Sequence, residues 1–240
     1  MGFAKKVSSM RIRRLSLLQG SHEARGTTVI IDVFRAFTCE PLLFYYGASQ
    51  IILEADIEKC RSLQGDYLRI GENNEIPIEG FDLTNSPSLI LAKGRDYFAG
   101  KRIIHRSTSG VGGAVNAFAH ADEVLLASFI NAAATARYIK SRSPDLVSIV
   151  AMGILSQENA PADDHCGDYI ESLLNGRPYD HVRAIREILV HETAQKFLRG
   201  DKFYLPKEDP AICLQRDLID VALAARKQGD LLVSTCLPAG

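Results

Sequence analysis

The chain has 240 residues, 46% of them hydrophobic, with 28 basic and 29 acidic side chains and a formal net charge of -1. That is enough apolar material for a substantial core, as a single α/β catalytic domain over residues 1–240 or two small lobes without a clear boundary. The balanced charge gives no argument for nucleic acid, no apolar run approaches the roughly 18 residues of a membrane helix, and Cys39, Cys60, Cys166, Cys213 and Cys236 form no CxxC pair, so free thiols in the cytoplasm are expected.

The N-terminal stretch carries Lys5, Lys6, Arg11, Arg13 and Arg14, and the alternation over residues 10–18 predicts an edge strand with basic side chains outward. Residues 28–32 follow as a continuous apolar run closing on Asp32, which suits a strand covered on both faces. A helix is expected over 36–46, ended by Gly47, then a strand over 51–54 and a helix over 56–63 capped by Asp56. A short strand at 67–71 runs into GENNEIPIEGFDLTNSP, residues 71–87, a long ordered loop of the kind that usually carries function. After a strand at 101–106 comes STSGVGGAVNAF, residues 107–118. Hydroxyls and glycines between a strand and a helix suit a phosphate cradle, because backbone N–H groups at a helix start face the anion. Further strands are expected at 122–127 and 146–152, each followed by a helix. The second of these helices begins beside the acidic pair Asp163 and Asp164. One long helix over 181–198, a helix from 209 and a last strand over 231–235 complete the chain. Strands alternating with helices predict a layered α/β/α fold with a largely parallel or mixed sheet.

Ligands in such folds bind beyond the carboxyl ends of the strands. That places Asp32, Arg35, Glu72, the loop from Thr108 to Gly113, Ser128 to Asn131 and the Asp163-Asp164 pair on one rim. Carboxylates there suit Mg²⁺, and Arg, hydroxyl and backbone donors suit a phosphoryl group, so the combination points to metal-assisted chemistry on a phosphorylated substrate. Competing motifs fail. SGVGGAV lacks the Lys-Ser/Thr of a P-loop and the GxGxxG spacing, and Gln195 stands where HExxH needs its second His after His191. Phe34 stands where a DxDxT phosphatase needs its second Asp, and Cys39 lacks a CxxxxxR loop. The plainer alternative for Asp32 is capping of the next helix, and for the hydroxyls of Ser107, Thr108 and Ser109 it is satisfaction of nearby backbone.

In order, DVFRAFT at 32–38, GENNEIPIEGFDLTNSP at 71–87, HRSTSGVGGAVNA at 105–117, ASFINAAA at 127–134, DDHCGDYIESLL at 163–174 and LPKEDPAICLQRD at 205–217 resemble the 2-phosphosulfolactate phosphatase (ComB) family. The resemblance implies a Mg²⁺-dependent hydrolase that removes phosphate from 2-phosphosulfolactate, giving sulfolactate on the way to coenzyme M. By position, Asp32, Arg35, Glu72, Asp82, Asn85 and Asp164 fall on the family's motif residues. The expected metal ligands are Asp32 and Asp82 with Glu72 or Asp164, and the catalytic set is Asp32, Arg35, Glu72 and Asp82. Arg35, Asn85, Thr108, Ser109, Gly110, Ser128 and Asn131 are expected to bind the substrate. Asn73, Thr84 and Val111 stand where the family carries Arg, Gly and Thr. A catalytically impaired anion-binding homologue is therefore the alternative. Attack by water and passage through an aspartyl-phosphate both remain open, and a homodimer is the expected assembly.

Overall fold

The computed structural model describes residues 10–238. Ten strands form one sheet, in the order β1 (Arg11–Ser16), β8 (Leu146–Ala151), β2 (Thr27–Ile31), β7 (Glu123–Ala127), β9 (Leu223–Gln228), β10 (Leu231–Cys236), β3 (Gln50–Leu53), β6 (Arg102–Arg106), β4 (Tyr67–Asn73) and β5 (Ile76–Pro77). The fold is layered α/β with a mixed sheet. β1, β8, β2 and β7 are mutually parallel, as are β3, β6 and β4, and the antiparallel hairpin β9–β10 joins the two sets. The continuous apolar run of β2 follows from its two covered faces. Ile30 packs in one apolar cluster, whereas Val29 and Ile31 pack in another on the opposite face.

The first cluster surrounds α2 (Ala36–Tyr45), whose residues from Ala36 to Leu43 are all buried. Phe37, Leu42 and Leu43 meet Ile30, Val124 and Val150 of one parallel set and Ile51, Ile70 and Ile103 of the other. A helix apolar on nearly every side must be enclosed, and each large side chain buried there contributes about 1.5–3 kcal/mol. The second cluster packs α6 (Ala132–Arg142), α7 (Pro161–Asn175) and α8 (His181–Val190) against the other face of β2, β7 and β8.

Three antiparallel pairings separate β7 from β3, so in a flat sheet the carboxyl ends of β2 and β6 would lie at opposite edges. They meet instead. Gly110, which opens α5 (Gly110–Phe118) after β6, donates its N–H to Asp32 Oδ2 at 2.8 Å. Adjacent strands rotate by roughly 20–25° in one sense, and that twist accumulates across the hairpin and curls the sheet around α2.

Several elements differ from expectation. α1 (Leu17–Glu23) follows β1 directly, although only an edge strand was expected there, and Lys5 and Lys6 lie outside the described residues. The expected helix over 181–198 is two helices, α8 and α9 (Glu192–Arg199). They part at His191, whose extended backbone lets its ring accept the Thr193 N–H at 3.3 Å. The hairpin strand β9 was not anticipated, although Gly229, with φ +60°, supplies the left-handed residue its two-residue turn needs. α3 (Ile57–Ser62) is capped as expected, with Asp56 accepting the Lys59 N–H at 2.9 Å. α4 (Pro87–Phe98) and α10 (Asp209–Cys213) complete the elements that flank the site. Among the described residues no helix is long and apolar enough to cross a membrane.

Candidate active site

A cleft opens where the loops after β2, β4, β6 and β8 meet α7 and α9. Asp32, Arg35, Glu72, Asn85, Thr108 and Ser109 line it, so six of the residues singled out from the sequence share one wall.

Asp32 is buried, and its Oδ1 accepts the Ala36 N–H at 3.2 Å while Oδ2 accepts that of Gly110. Burial, then the charge of Glu72, pushes its carboxyl up from 3.8 to about 6, against the pull of those two N–H groups. Glu72 Oε1 accepts the Thr108 N–H at 2.6 Å, and Oε2 accepts the Glu75 N–H at 2.6 Å and the Thr108 hydroxyl at 3.1 Å. Ser107 Oγ accepts the Val111 N–H at 2.8 Å. The loop expected to cradle a phosphate with its backbone therefore turns the N–H groups of Thr108 and Gly110 onto the protein's own carboxylates. Gly110 is required for this approach, since a Cβ there would lie 2.7 Å from Asp32 Oδ2. The Ser109 side chain lines the cleft without a hydrogen bond to the protein.

Arg35 is anchored from behind. Its Nη1 donates to Asp209 Oδ2 at 2.9 Å and to the Tyr204 carbonyl at 3.1 Å, and its guanidinium lies 5.3 Å from the centre of the Phe197 ring. Asp209 is fully buried, and its Oδ1 also accepts from the Ser86 and Ser88 hydroxyls and the Ser88 N–H. This ties α10 to the start of α4 and fixes the arginine, with Nε and Nη2 carrying no protein hydrogen bond.

The remaining expected residues are elsewhere. Asp82 is exposed, and its Oδ2 accepts the Arg69 N–H at 2.7 Å, closing the loop onto β4 away from the cleft. Asp164 lies on the outer face of α7 with Asp168, beside Arg14. Its neighbour Asp163 lines the cleft instead, accepting the Val33 N–H and the Gly153 N–H at 2.8 Å each. Burial and then the charge of Asp32 raise the Asp163 pKa well above the carboxylate range. Ser128 and Asn131 are fully buried and cap each other's backbone, and Ser128 Oγ donates to the Phe37 carbonyl at 3.0 Å. Asn85 reaches the cleft, but its Nδ2 donates to the Arg106 carbonyl and its Oδ1 meets His105 Nε2, each at 3.0 Å. His105 Nδ1 in turn meets the buried Glu40 at 2.7 Å. Cys39 is buried, and burial raises its thiol well above the usual range, which removes it as a nucleophile.

Sequence reasoning placed the Asp163-Asp164 pair on the rim but chose Asp164 of the two, and it missed Thr193, Lys196 and Phe197 as cleft residues. A signal for choosing Asp163 existed. It shares the face of Cys166, Gly167 and Ile170 at helical spacing, all buried, whereas Asp164 aligns with the outward Asp168 and Glu171. Asn73 is exposed and lines a separate shallow groove with Glu58 and Arg61.

Asp32, Glu72, Glu75 and Asp163 oppose Arg35 and Lys196 around the cleft, so acids outnumber bases. Among the described residues no three His, Cys, Asp or Glu side chains gather as an all-protein metal cage. Mg²⁺ does not need one, because it takes one or two carboxylates and fills its octahedron with waters and substrate phosphate. The two buried carboxylates Asp32 and Glu72, whose charges repel, keep a free lone pair on both Asp32 oxygens and on Glu72 Oε1, and so fit that requirement.

The fold and cleft define a layered α/β protein with a carboxylate-rich cleft at converging strand ends. The chain belongs to the 2-phosphosulfolactate phosphatase family, whose description, 2-phosphosulpholactate phosphatase, matches residues 14–228. Its relatives are named as enzymes of phosphate monoester hydrolysis. The chain is 27% identical over 226 residues to a probable 2-phosphosulfolactate phosphatase of Bacillus subtilis, covering 90% of this chain and 96% of that protein. It is 29% identical over 211 residues to one of Clostridium perfringens, covering 80% and 83%. A protein of the same name from Deinococcus radiodurans is 34% identical over 147 residues, 60% of this chain and 59% of that protein.

Proposed function

We propose that this protein hydrolyses the phosphate monoester of 2-phosphosulfolactate or a closely related small phosphorylated acid, with Mg²⁺ held by Asp32 and Glu72 beside Asp163. The observation that carries this reading is the excess of carboxylates in a cleft that also presents a fixed arginine edge. A phosphorylated acid is repelled by such a wall unless a divalent cation lies between them, whereas Arg35 is already positioned for an oxyanion. Bound Mg²⁺ supplies polarisation of the phosphoryl group and a water of lowered pKa.

The chain's own residues orient the ester. Arg35 Nε and Nη2 and the Ser109 hydroxyl hold phosphoryl oxygens, and the bonds from Arg35 to Asp209 and Tyr204 keep the guanidinium from following the substrate. Phe34, Phe197 and Leu205 cover the apolar side and exclude water. Without the cation the Asp32 carboxyl lies near 6, so binding of Mg²⁺ there is favoured as the pH rises through that value. Phosphate release from a panel of phosphorylated carboxylates and sulfonates, with and without Mg²⁺, tests the reading. Release from 2-phosphosulfolactate only with the cation is expected. Binding of these compounds without release under any cation would establish the anion-binding alternative.

A further inference from the structure

We propose that Lys196 recognises the sulfonate of 2-phosphosulfolactate, as distinct from its phosphate and carboxylate, and that Glu75 occupies this subsite until substrate displaces it. The inference rests on the reading of the cleft as a phosphatase site.

Lys196 on α9 and Glu75 in the β4–β5 turn are 121 residues apart in sequence and pair across the cleft, which both line. The lysine side chain is only 16% exposed, an unusual degree of enclosure for that residue type, while Glu75 at the lip is 33% exposed. Arg35 shows the opposite arrangement. Its partner Asp209 is completely enclosed and cannot leave, so that pair is permanent. Both cations flank one ring, with Arg35 at 5.3 Å and Lys196 Nζ at 5.7 Å from the centre of Phe197. The cleft therefore holds two separate cationic positions, one with a locked carboxylate partner and one whose partner stands at the opening.

Glu75 is delivered by the two-residue hairpin turn between β4 and β5, closed by the pair Asn73 and Ile76. Asn74 and Glu75 have φ of +51° and +68°, the left-handed values that such a turn takes at both positions. Anchors to the site fix where the turn lies. The Asn74 N–H donates to Thr108 Oγ1 at 2.9 Å, and the Glu75 N–H to Glu72 Oε2. The Glu75 carboxylate, carried to the lip on this anchored turn and paired with Lys196, is an internal stand-in for a ligand's acid group. An ammonium is a compact point charge that accepts a sulfonate in its place.

The test is steady-state kinetics of the full chain with Mg²⁺ on 2-phosphosulfolactate and on 2-phospholactate, which lacks the sulfonate. Lys196→Met should lose about tenfold more kcat/KM on the first substrate than on the second, as expected for one charge-assisted contact. The loss should appear in KM, and Lys196→Arg should recover most of it. Glu75→Gln should lower KM for 2-phosphosulfolactate. Equal losses on both substrates, or a raised KM in Glu75→Gln, would overturn the assignment. Where the wild type hydrolyses neither compound, the phosphatase reading fails, and calorimetry with 3-sulfolactate decides the subsite alone. Binding that weakens about tenfold in Lys196→Met supports it. Absent or unchanged binding refutes it.

Discussion

Between pH 4 and pH 7, without divalent cations, Asp32 should make the fold less stable as the pH rises. A carboxyl whose pKa is higher in the folded than in the unfolded chain binds its proton more tightly when folded. Its contribution is therefore most favourable below the unfolded value and declines as pH rises through the folded one. The displacement from 3.8 to about 6 corresponds to about 3 kcal/mol across that window. Asp163 is raised in the same direction by burial and by the charge of Asp32, so the wild-type curve reports both groups. Asp32→Asn, whose amide is neutral throughout, removes Asp32 together with its coupling to Asp163. Urea unfolding at half-unit pH steps should show wild type losing about 3 kcal/mol relative to Asp32→Asn between pH 4 and 7. Mg²⁺ should restore much of that loss at pH 7, because it binds the ionised carboxylates of the folded chain. A difference between the two proteins that is flat with pH, or that favours wild type as pH rises, would refute the burial argument. A wild type whose loss Mg²⁺ leaves untouched would remove Asp32 from the metal site.

Asp209→Ala leaves the Arg35 guanidinium, 3% exposed, without its carboxylate and should cost about 3–5 kcal/mol in urea unfolding. A cost below about 1 kcal/mol would show that the pair contributes little beyond what a surface bridge does. Gly110→Ala places a Cβ 2.7 Å from Asp32 Oδ2 and should cost about 1–3 kcal/mol and lower phosphate release, read by unfolding and by turnover together. A neutral substitution in both assays would show that the α5 start and Asp32 are not held as closely as the 2.8 Å hydrogen bond requires.

Much of the site was legible because local rules sufficed. An apolar run ending in Asp32 can only be a covered strand with a carboxylate at its end, and Glu72 and Thr108 fall at strand ends for the same reason. Asp82 and Asp164 were misplaced because each reading rested on position along a motif. Asp82 spends its carboxylate on its own loop at Arg69, and one helical step of 100° separates Asp164 from the inward Asp163. Ser128 and Asn131 lie after a strand, as a ligand group does, yet their polar atoms close a capping box on buried backbone. The break at His191 also escaped a periodicity argument, since the apolar pattern continues through it.

By itself, the sequence determined the alternation of strands and helices, the burial of β2 and α2, and the gathering of acids and anion donors in strand-end loops, because periodicity and turn chemistry are local. Tertiary structure alone decided that the β9–β10 hairpin reverses half of the sheet and that twist nevertheless returns the two sets of carboxyl ends to one cleft. It also decided which carboxylates repel one another there and which cations face them. Those outcomes depend on contacts between residues such as Glu75 and Lys196, 121 positions apart, and no local pattern encodes how such segments dock.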